Sequence, residues 1–145
     1  MRVLISGATG LVGSEVARQL SALGHEPLKL VRRKAVKPDE VEWNPAAGFL
    51  QEGIMETVDA VVNMAGATTG KLPWTKTYKQ EIINSRLMPT RTLVEAMSKA
   101  KNKPKVFVSG SASGFYGDAG NQVLNEFAPK GTGFLSDLAF QWEQE

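Results

Sequence analysis

The 145-residue sequence predicts an α/β fold built on a doubly wound parallel sheet, and three observations predict it. The apolar run Val3-Leu4-Ile5 feeds a glycine-rich turn, Gly7-Ala8-Thr9-Gly10-Leu11-Val12-Gly13, which opens a helical pattern. Short apolar runs then alternate with stretches of helical periodicity, and such alternation pairs strands in parallel through right-handed crossovers. The run Asp59-Ala60-Val61-Val62-Asn63-Met64 is apolar enough for a strand covered on both faces, as in parallel sheets.

Each element follows in order. Met1 to Ile5 supplies the first strand. Leu11, Val12, Val16, Leu20 and Leu23 recur at helical spacing up to Gly24, which suits a helix end, so a helix is expected over 11–23. Pro27 to Val31 is the second strand, closed by the basic cluster Arg32-Arg33-Lys34. Residues 35–57 are poorly periodic and hold Pro38, Pro45, Gly48 and Gly53; Val41-Glu42-Trp43 is expected as a third strand and Gln51 to Thr57 as a short helix. The fourth strand, Asp59 to Met64, ends in Ala65-Gly66-Ala67. From Thr75 to Ala100 the pattern is helical, with Ile82, Ile83, Leu87, Leu93, Val94, Ala96 and Met97 on the apolar face and Pro89 expected to kink or restart it. Lys105 to Ser109 is the fifth strand, followed by a small-residue loop and a turn-rich stretch to Gly133. Phe134 to Trp142 reads as a last helix with Leu135, Leu138, Ala139 and Trp142 inward. Residues 1–145 are expected as one domain with strand order 3-2-1-4-5.

Open α/β sheets bind ligands at the carboxyl ends of their strands, at the switch point beside the first strand. Those ends are the glycine turn, Arg32-Arg33, Met64-Ala65-Gly66 and Ser109-Gly110-Ser111, all expected to converge on one crevice. The glycines have separate jobs: Gly7 lets the chain turn off the strand, Gly10 lets a phosphate approach the backbone, and Gly13 lets helix and sheet pack closely. A helix N-terminus then offers free N–H groups to the anion. This is the architecture that grips the pyrophosphate of a dinucleotide. A triphosphatase loop is excluded, because Ser14 follows Gly13 with no lysine. Where NAD-specific folds carry an acid after the second strand, this chain carries Arg32 and Arg33, which suit a 2′-phosphate and favour NADP(H) over NAD(H).

Composition narrows the function classes. With 17 basic and 15 acidic residues and a net charge of +2, the chain shows no concentrated basic face for nucleic acid, and a small-molecule substrate is the better expectation. No cysteine is present, which excludes disulfides and thiolate sites, and no metal ligand set is expected. No apolar stretch approaches a membrane span, so the chain reads as soluble and cytoplasmic, with no membrane partner. His25 reads as a turn residue and Trp43 and Trp74 as packing anchors, while Asp118 and Glu126 lie in the loop after the fifth strand, where a general acid could be placed although loop carboxylates are usually solvated.

The glycine turn, Asn63-Met64-Ala65-Gly66 and the helix ending Thr90-Arg91-Thr92-Leu93-Val94-Glu95-Ala96 resemble the short-chain dehydrogenase/reductase superfamily, in its extended epimerase/dehydratase-like branch. Within it, Glu42-Trp43-Asn44-Pro45, Trp74-Thr75, Ser85-Arg86, the 111–117 loop and Trp142-Glu143 are similar to an atypical group described as epimerase family or cell-division-inhibitor-like proteins. The resemblance implies a Rossmann-type NADP-binding domain. It places the cofactor over Gly7, Thr9, Gly10, Leu11, Val12 and Gly13, its adenosine end at Arg32 and Arg33, with Met64, Ala65 and Gly66 flanking it and Ser109 at the adjoining strand end. It also puts Arg86 where typical members have an active-site asparagine, with Glu81 in the same helix as a second residue toward the cofactor.

Catalysis departs from the resemblance. Typical members exchange a proton through a Tyr-x-x-x-Lys pair, but aligning Glu143 on the family's glutamate puts Leu135 and Ala139 at those positions. Neither moves a proton. Ser111 is the candidate for the catalytic hydroxyl, with Ala112 competing for the aligned place, and Tyr116 is not the catalytic tyrosine, since Gly120 stands four residues on.

Members of the branch are about twice this length, and the chain stops at Glu145 inside a helical pattern. The expectation is therefore an N-terminal piece with its last strands and substrate lobe missing. Such a piece would expose Val106-Phe107-Val108 as an apolar edge and self-associate through it; a homo-oligomer is left open. Two functions stand: an NADP-dependent oxidoreductase or epimerase-like enzyme, or a non-catalytic NADP(H)-binding regulator or sensor. A partner-binding scaffold that binds no nucleotide is a third.

Overall fold

The computed structural model describes residues 1–145, which form two units, Met1–Gly110 and Ser111–Glu145. In the first unit, β1 (Arg2–Ser6), α1 (Leu11–Ala22), β2 (Glu26–Val31), β3 (Glu40–Asn44), β4 (Phe49–Leu50), β5 (Ala60–Asn63), α2 (Lys76–Lys99) and β6 (Val106–Ser109) follow in chain order. The sheet runs β4-β3-β2-β1-β5-β6. All pairs are parallel except β3 with β4, which is antiparallel. The expected order of five parallel strands is therefore present, and β4 extends it by one short strand that periodicity could not reveal in two residues.

Alternation along the strands explains the two layers. Leu4, Leu28, Leu30, Val41, Trp43 and Val61 turn to one face, where Leu93 of α2 packs on them together with Ala96, Met97 and Phe107. Val3, Ile5 and Ala60 turn to the other, beneath Val16, Ala17 and Leu20 of α1. Ile5, Leu4 and Val61 are fully buried, so β1 and β5 form the centre of the first unit, covered on both faces as expected.

Helix α1 uses Val16, Ala17 and Leu20 for packing, whereas Leu11, Val12 and Leu23 are 92%, 58% and 72% exposed. Three expectations need correction. The short helix expected from Gln51 is a single 3-10 turn, Ile54–Thr57, because Gly53 adopts φ +74 and starts the turn only there. Helix α2 runs unbroken through Pro89, so the proline does not restart it; the missing N–H removes one bond, at a cost of about 3 kcal/mol, against a long apolar face held on the sheet. Thr75 caps its start by accepting from Tyr78 N at 3.1 Å.

The third correction lies in the second unit, whose α3 spans Phe134–Gln144. Leu138, Ala139 and Trp142 are buried there, but Leu135 is 36% exposed. A 3-10 turn, Ser113–Tyr116, packs on α3: Ser136 Oγ donates to Phe115 O at 2.7 Å, and a Cβ on Gly114 would lie 3.2 Å from Leu135 Cβ.

Candidate functional site

The glycine turn is built from backbone packed on backbone. Gly7 has φ +66, and a Cβ there would lie 2.4 Å from Met64 O; a Cβ on Gly13 would lie 2.2 Å from Gly7 O. Any side chain at either position would push α1, β1 and the segment after β5 apart. Gly10 differs, for its Cβ would meet only Gly7 O at 3.3 Å, and its outer side is open. Gly10 is the N-cap of α1, with no side-chain cap and no acid in the first turn, so the helix presents uncapped N–H groups beside it. Thr9, Leu11 and Val12 stand exposed around that end.

Parallel register sets the other strand ends beside the turn. Ser6 pairs with Asn63, and Asn63 with Ser109. A buried network ties them: Ser6 Oγ donates to Asn63 Oδ1 at 2.5 Å, and Asn63 Nδ2 donates to Thr90 Oγ1 at 2.9 Å and to Ser109 Oγ at 3.2 Å. Met64 N donates to Ser6 Oγ at 3.1 Å, so the chain leaving β5 is fixed relative to β1. Sequence reasoning passed over this network, because Ser6 and Thr90 are ordinary residues until the sheet and α2 bring them to Asn63.

Arg86 of α2 closes the segment that follows. Its guanidinium donates to Ala67 O at 3.2 Å and Ile82 O at 3.0 Å, and its carbon would lie 3.3 Å from a Cβ on Gly66. Gly66 thus lets the guanidinium rest against the main chain. Burial pushes the Arg86 pKa below its usual value, yet a guanidinium keeps its charge in proteins, so a half-buried cation stands behind Met64, Ala65 and Gly66. Ser85 supports the same segment, its Oγ accepting from Ala67 N at 2.9 Å. Glu81 is exposed and joined to none of these groups; five residues before Arg86, it lies roughly 140° around the helix.

At the end of β2 the two arginines differ. Arg33 grips Glu40 bidentately, at 2.8 Å and 2.6 Å, and Glu40 also accepts from Val36 N and Lys37 N. The Arg33 hydrogen bonds, with those two N–H groups, hold the Glu40 carboxyl down at about 2. Arg32 is exposed and bonds to nothing. Glu40 was invisible as a partner in the sequence because the six residues between them have no regular period.

Ser111, the candidate catalytic hydroxyl, belongs to the second unit. It donates to Glu143 Oε1 on α3. Ala139, at the position where the resemblance has a catalytic lysine, is 1% exposed. Glu126, expected as a solvated loop acid, lines a cavity of about 440 Å³ with Ser111 and Glu143. Asp118 instead holds a turn, accepting from Gly120 N at 3.0 Å. No helix is long and apolar enough to cross a membrane.

Comparison with known proteins places this geometry. An epimerase family protein of Mycobacterium leprae is 38% identical over 141 residues, covering 97% of this chain and 45% of its own. One from Staphylococcus haemolyticus is 35% identical over 97% of this chain and 48% of its own. The chain thus spans about half the length of these relatives. Among solved structures, the human epimerase family protein determined with NADPH superposes with a TM-score of 0.85 at 31% identity, over 99% of this chain and 48% of that one. A nucleoside-diphosphate sugar epimerase from Corynebacterium glutamicum gives 0.83 at 32% identity, over 99% of this chain and 30% of its own. The family model for NAD dependent epimerases and dehydratases matches residues 3–133, from β1 through the last turn before α3, and the chain belongs to that family.

Proposed function

We propose that the chain binds NADP(H) across its glycine turn and serves oxidoreductase or epimerase-type chemistry on a small hydroxyl-bearing substrate. The uncapped start of α1 carries the reading: N–H groups with no internal acceptor lie beside an open Gly10, with Leu11 and Val12 exposed where no packing accounts for them. An anion satisfies the N–H groups, and the apolar parts of a dinucleotide cover the two side chains. The NADPH in the human relative supports the phosphorylated form, as does the absence of an acid directly after β2.

A second reading, a nicotinamide-binding sensor without turnover, draws on Leu135 and Ala139. They occupy the places that proton transfer uses in the superfamily the sequence resembles, and Ala139 is buried.

Titration with NADPH and NADH by intrinsic fluorescence tests the proposal. NADPH is expected to bind at least tenfold more tightly, and Arg32→Glu to weaken NADPH at least tenfold while changing NADH by less than threefold. Binding of neither nucleotide sinks the reading, and equal losses for both nucleotides remove Arg32 from the 2′-phosphate. NADPH binding with no oxidation or reduction of any alcohol or carbonyl in a broad panel selects the sensor.

A further inference from the structure

The main chain that leaves β5 is held in place by side chains. From Ala65 to Thr69 it belongs to no helix or strand, and none of its N–H or C=O groups bonds to another main-chain group. Ala67 N donates to Ser85 Oγ at 2.9 Å, and Ala67 O accepts from Arg86 at 3.2 Å. Thr68 O accepts from the Tyr78 hydroxyl at 2.6 Å, and Thr69 O from Trp74 Nε1 at 3.1 Å. Tyr78, Ser85 and Arg86 all stand on α2, so this strap takes its shape from that helix and not from hydrogen bonds of its own.

Tyr78 is the rigid strut of the strap. Its ring is 9% exposed and fixed by packing, its N–H donates to Thr75 Oγ1 at 3.1 Å, and the Lys71 ammonium lies 5.1 Å from the ring centroid. One side chain of the first turn of α2 thus gathers Thr68, Lys71 and Thr75 about itself. Thr68 is exposed, so without the phenol its carbonyl turns to water at little cost to the fold, while the strap loses its support. Where the strap begins gives this a consequence. The carbonyl oxygen of Met64, just before it, lies 2.4 Å from the place of a Cβ on Gly7, and open α/β sheets take their ligands at these strand ends. A loose strap would have to be ordered as the ligand arrives, and that entropy is subtracted from affinity.

We propose that Tyr78 is a positioning residue for the nucleotide: through Thr68 O it holds residues 65–67 in the shape that the bound dinucleotide meets, and it does so without touching the ligand. This rests on the nucleotide reading. Strand β1 lies between β5 and β2 in the sheet, so the strap and Arg32 stand on opposite sides of the glycine turn. The strap therefore meets parts that NADPH and NADH share, and Tyr78 acts on both nucleotides alike, whereas Arg32 acts on the 2′-phosphate alone.

Tyr78→Phe in the full chain keeps the ring and removes only the hydroxyl. It is expected to weaken NADPH and NADH by the same factor, about fivefold or more, as the loss of one hydrogen bond would, and to leave the urea midpoint within about 0.5 M of wild type. Amide exchange followed by NMR reads the strap directly. In nucleotide-free wild type the Ala67 amide, bonded to Ser85, is expected to be protected about tenfold or more. In nucleotide-free Tyr78→Phe that protection falls and the Trp74 indole N–H signal shifts, while the Val61 amide of β5 exchanges as before; saturating NADPH restores the protection. A loss of affinity smaller than fivefold, or confined to NADPH, overturns the proposal. So does an unprotected Ala67 amide in the wild type, or one that Tyr78→Phe leaves unchanged. A midpoint lowered by more than about 0.5 M, or a variant that does not fold, assigns Tyr78 to the scaffold and overturns it as well. Wild-type protein that binds neither nucleotide sinks the nucleotide reading and this proposal together, whereas wild-type binding that Tyr78→Phe does not alter sinks this proposal alone.

Discussion

A Cβ on Gly13 would stand 2.2 Å from the carbonyl oxygen of Gly7, so the first turn of α1 and the end of β1 touch through main-chain atoms alone. That contact separates two demands on the glycine turn. Gly7 and Gly13 serve the fold, while Gly10 keeps an open side from which a phosphate can approach.

The separation is measurable by alanine substitution. Gly13→Ala forces α1 off the sheet and is expected to cost about 2–3 kcal/mol, in the range of overpacked cores, with cofactor binding lost alongside. Gly10→Ala meets one atom at 3.3 Å, and should cost less than about 1 kcal/mol while weakening NADPH at least tenfold. Urea unfolding and nucleotide titration on both variants check this. A Gly10→Ala protein that binds NADPH like wild type would take the phosphate away from this turn.

The Arg33–Glu40 pair gives the fold an acid sensitivity with a definite sign. Glu40 is held at about 2, below its ordinary 4.5, first by the Arg33 hydrogen bonds. In the window between those values the unfolded chain binds more protons, so stability rises with pH. The contribution is present above about 4.5 and is lost as pH falls toward 2. Glu40→Gln should accordingly be less stable than wild type at pH 7, with the gap narrowing as pH falls below about 4.5 and closing only below about 2 in urea unfolding. A gap that does not depend on pH would mean that packing, not charge, is what Glu40 contributes.

The legible parts of the molecule are those with a local signature. Val3-Leu4-Ile5 and Ala60-Val61-Val62 announce central strands by composition, and Gly7, Gly10 and Gly13 announce the turn by spacing. The illegible parts depend on partners that only the fold supplies. Phe49 and Leu50 form a strand because Trp43 and Asn44 lie beside them. Asn63 organises Ser6, Thr90 and Ser109 because three elements end at one level. Leu11 and Val12 fit the helical period, yet α1 packs on the sheet only with the residues about one turn later; the period of a helix shows that one face is apolar, not where along its length the sheet stops. The pairing of Ser111 with Glu143 was illegible for the same reason, since its geometry depends on how the 113–116 turn packs on α3.

The free edge of the sheet yields the remaining prediction. Strand β6 pairs only with β5, and its side chains Val106 and Val108 are 49% and 46% exposed, while Phe107 packs against the α2 face of the sheet. Val106 and Val108 are in register with Ala60 and Val62, so an apolar surface continues across two strands and ends at a row of unpaired main-chain N–H and C=O groups. Such an edge recruits another strand unless something blunts it, and no proline or lysine interrupts residues 106–109. The 145-residue chain is expected to sediment as dimers or larger species at tens of micromolar and to enhance the fluorescence of a hydrophobic dye. Val108→Lys places a charge on the exposed face without touching the Phe107 side, and should return the chain to monomer and lower dye binding, at a stability cost of less than about 1 kcal/mol. A wild-type chain that sediments as a single monomeric species with low dye binding would show that this edge is not an association surface.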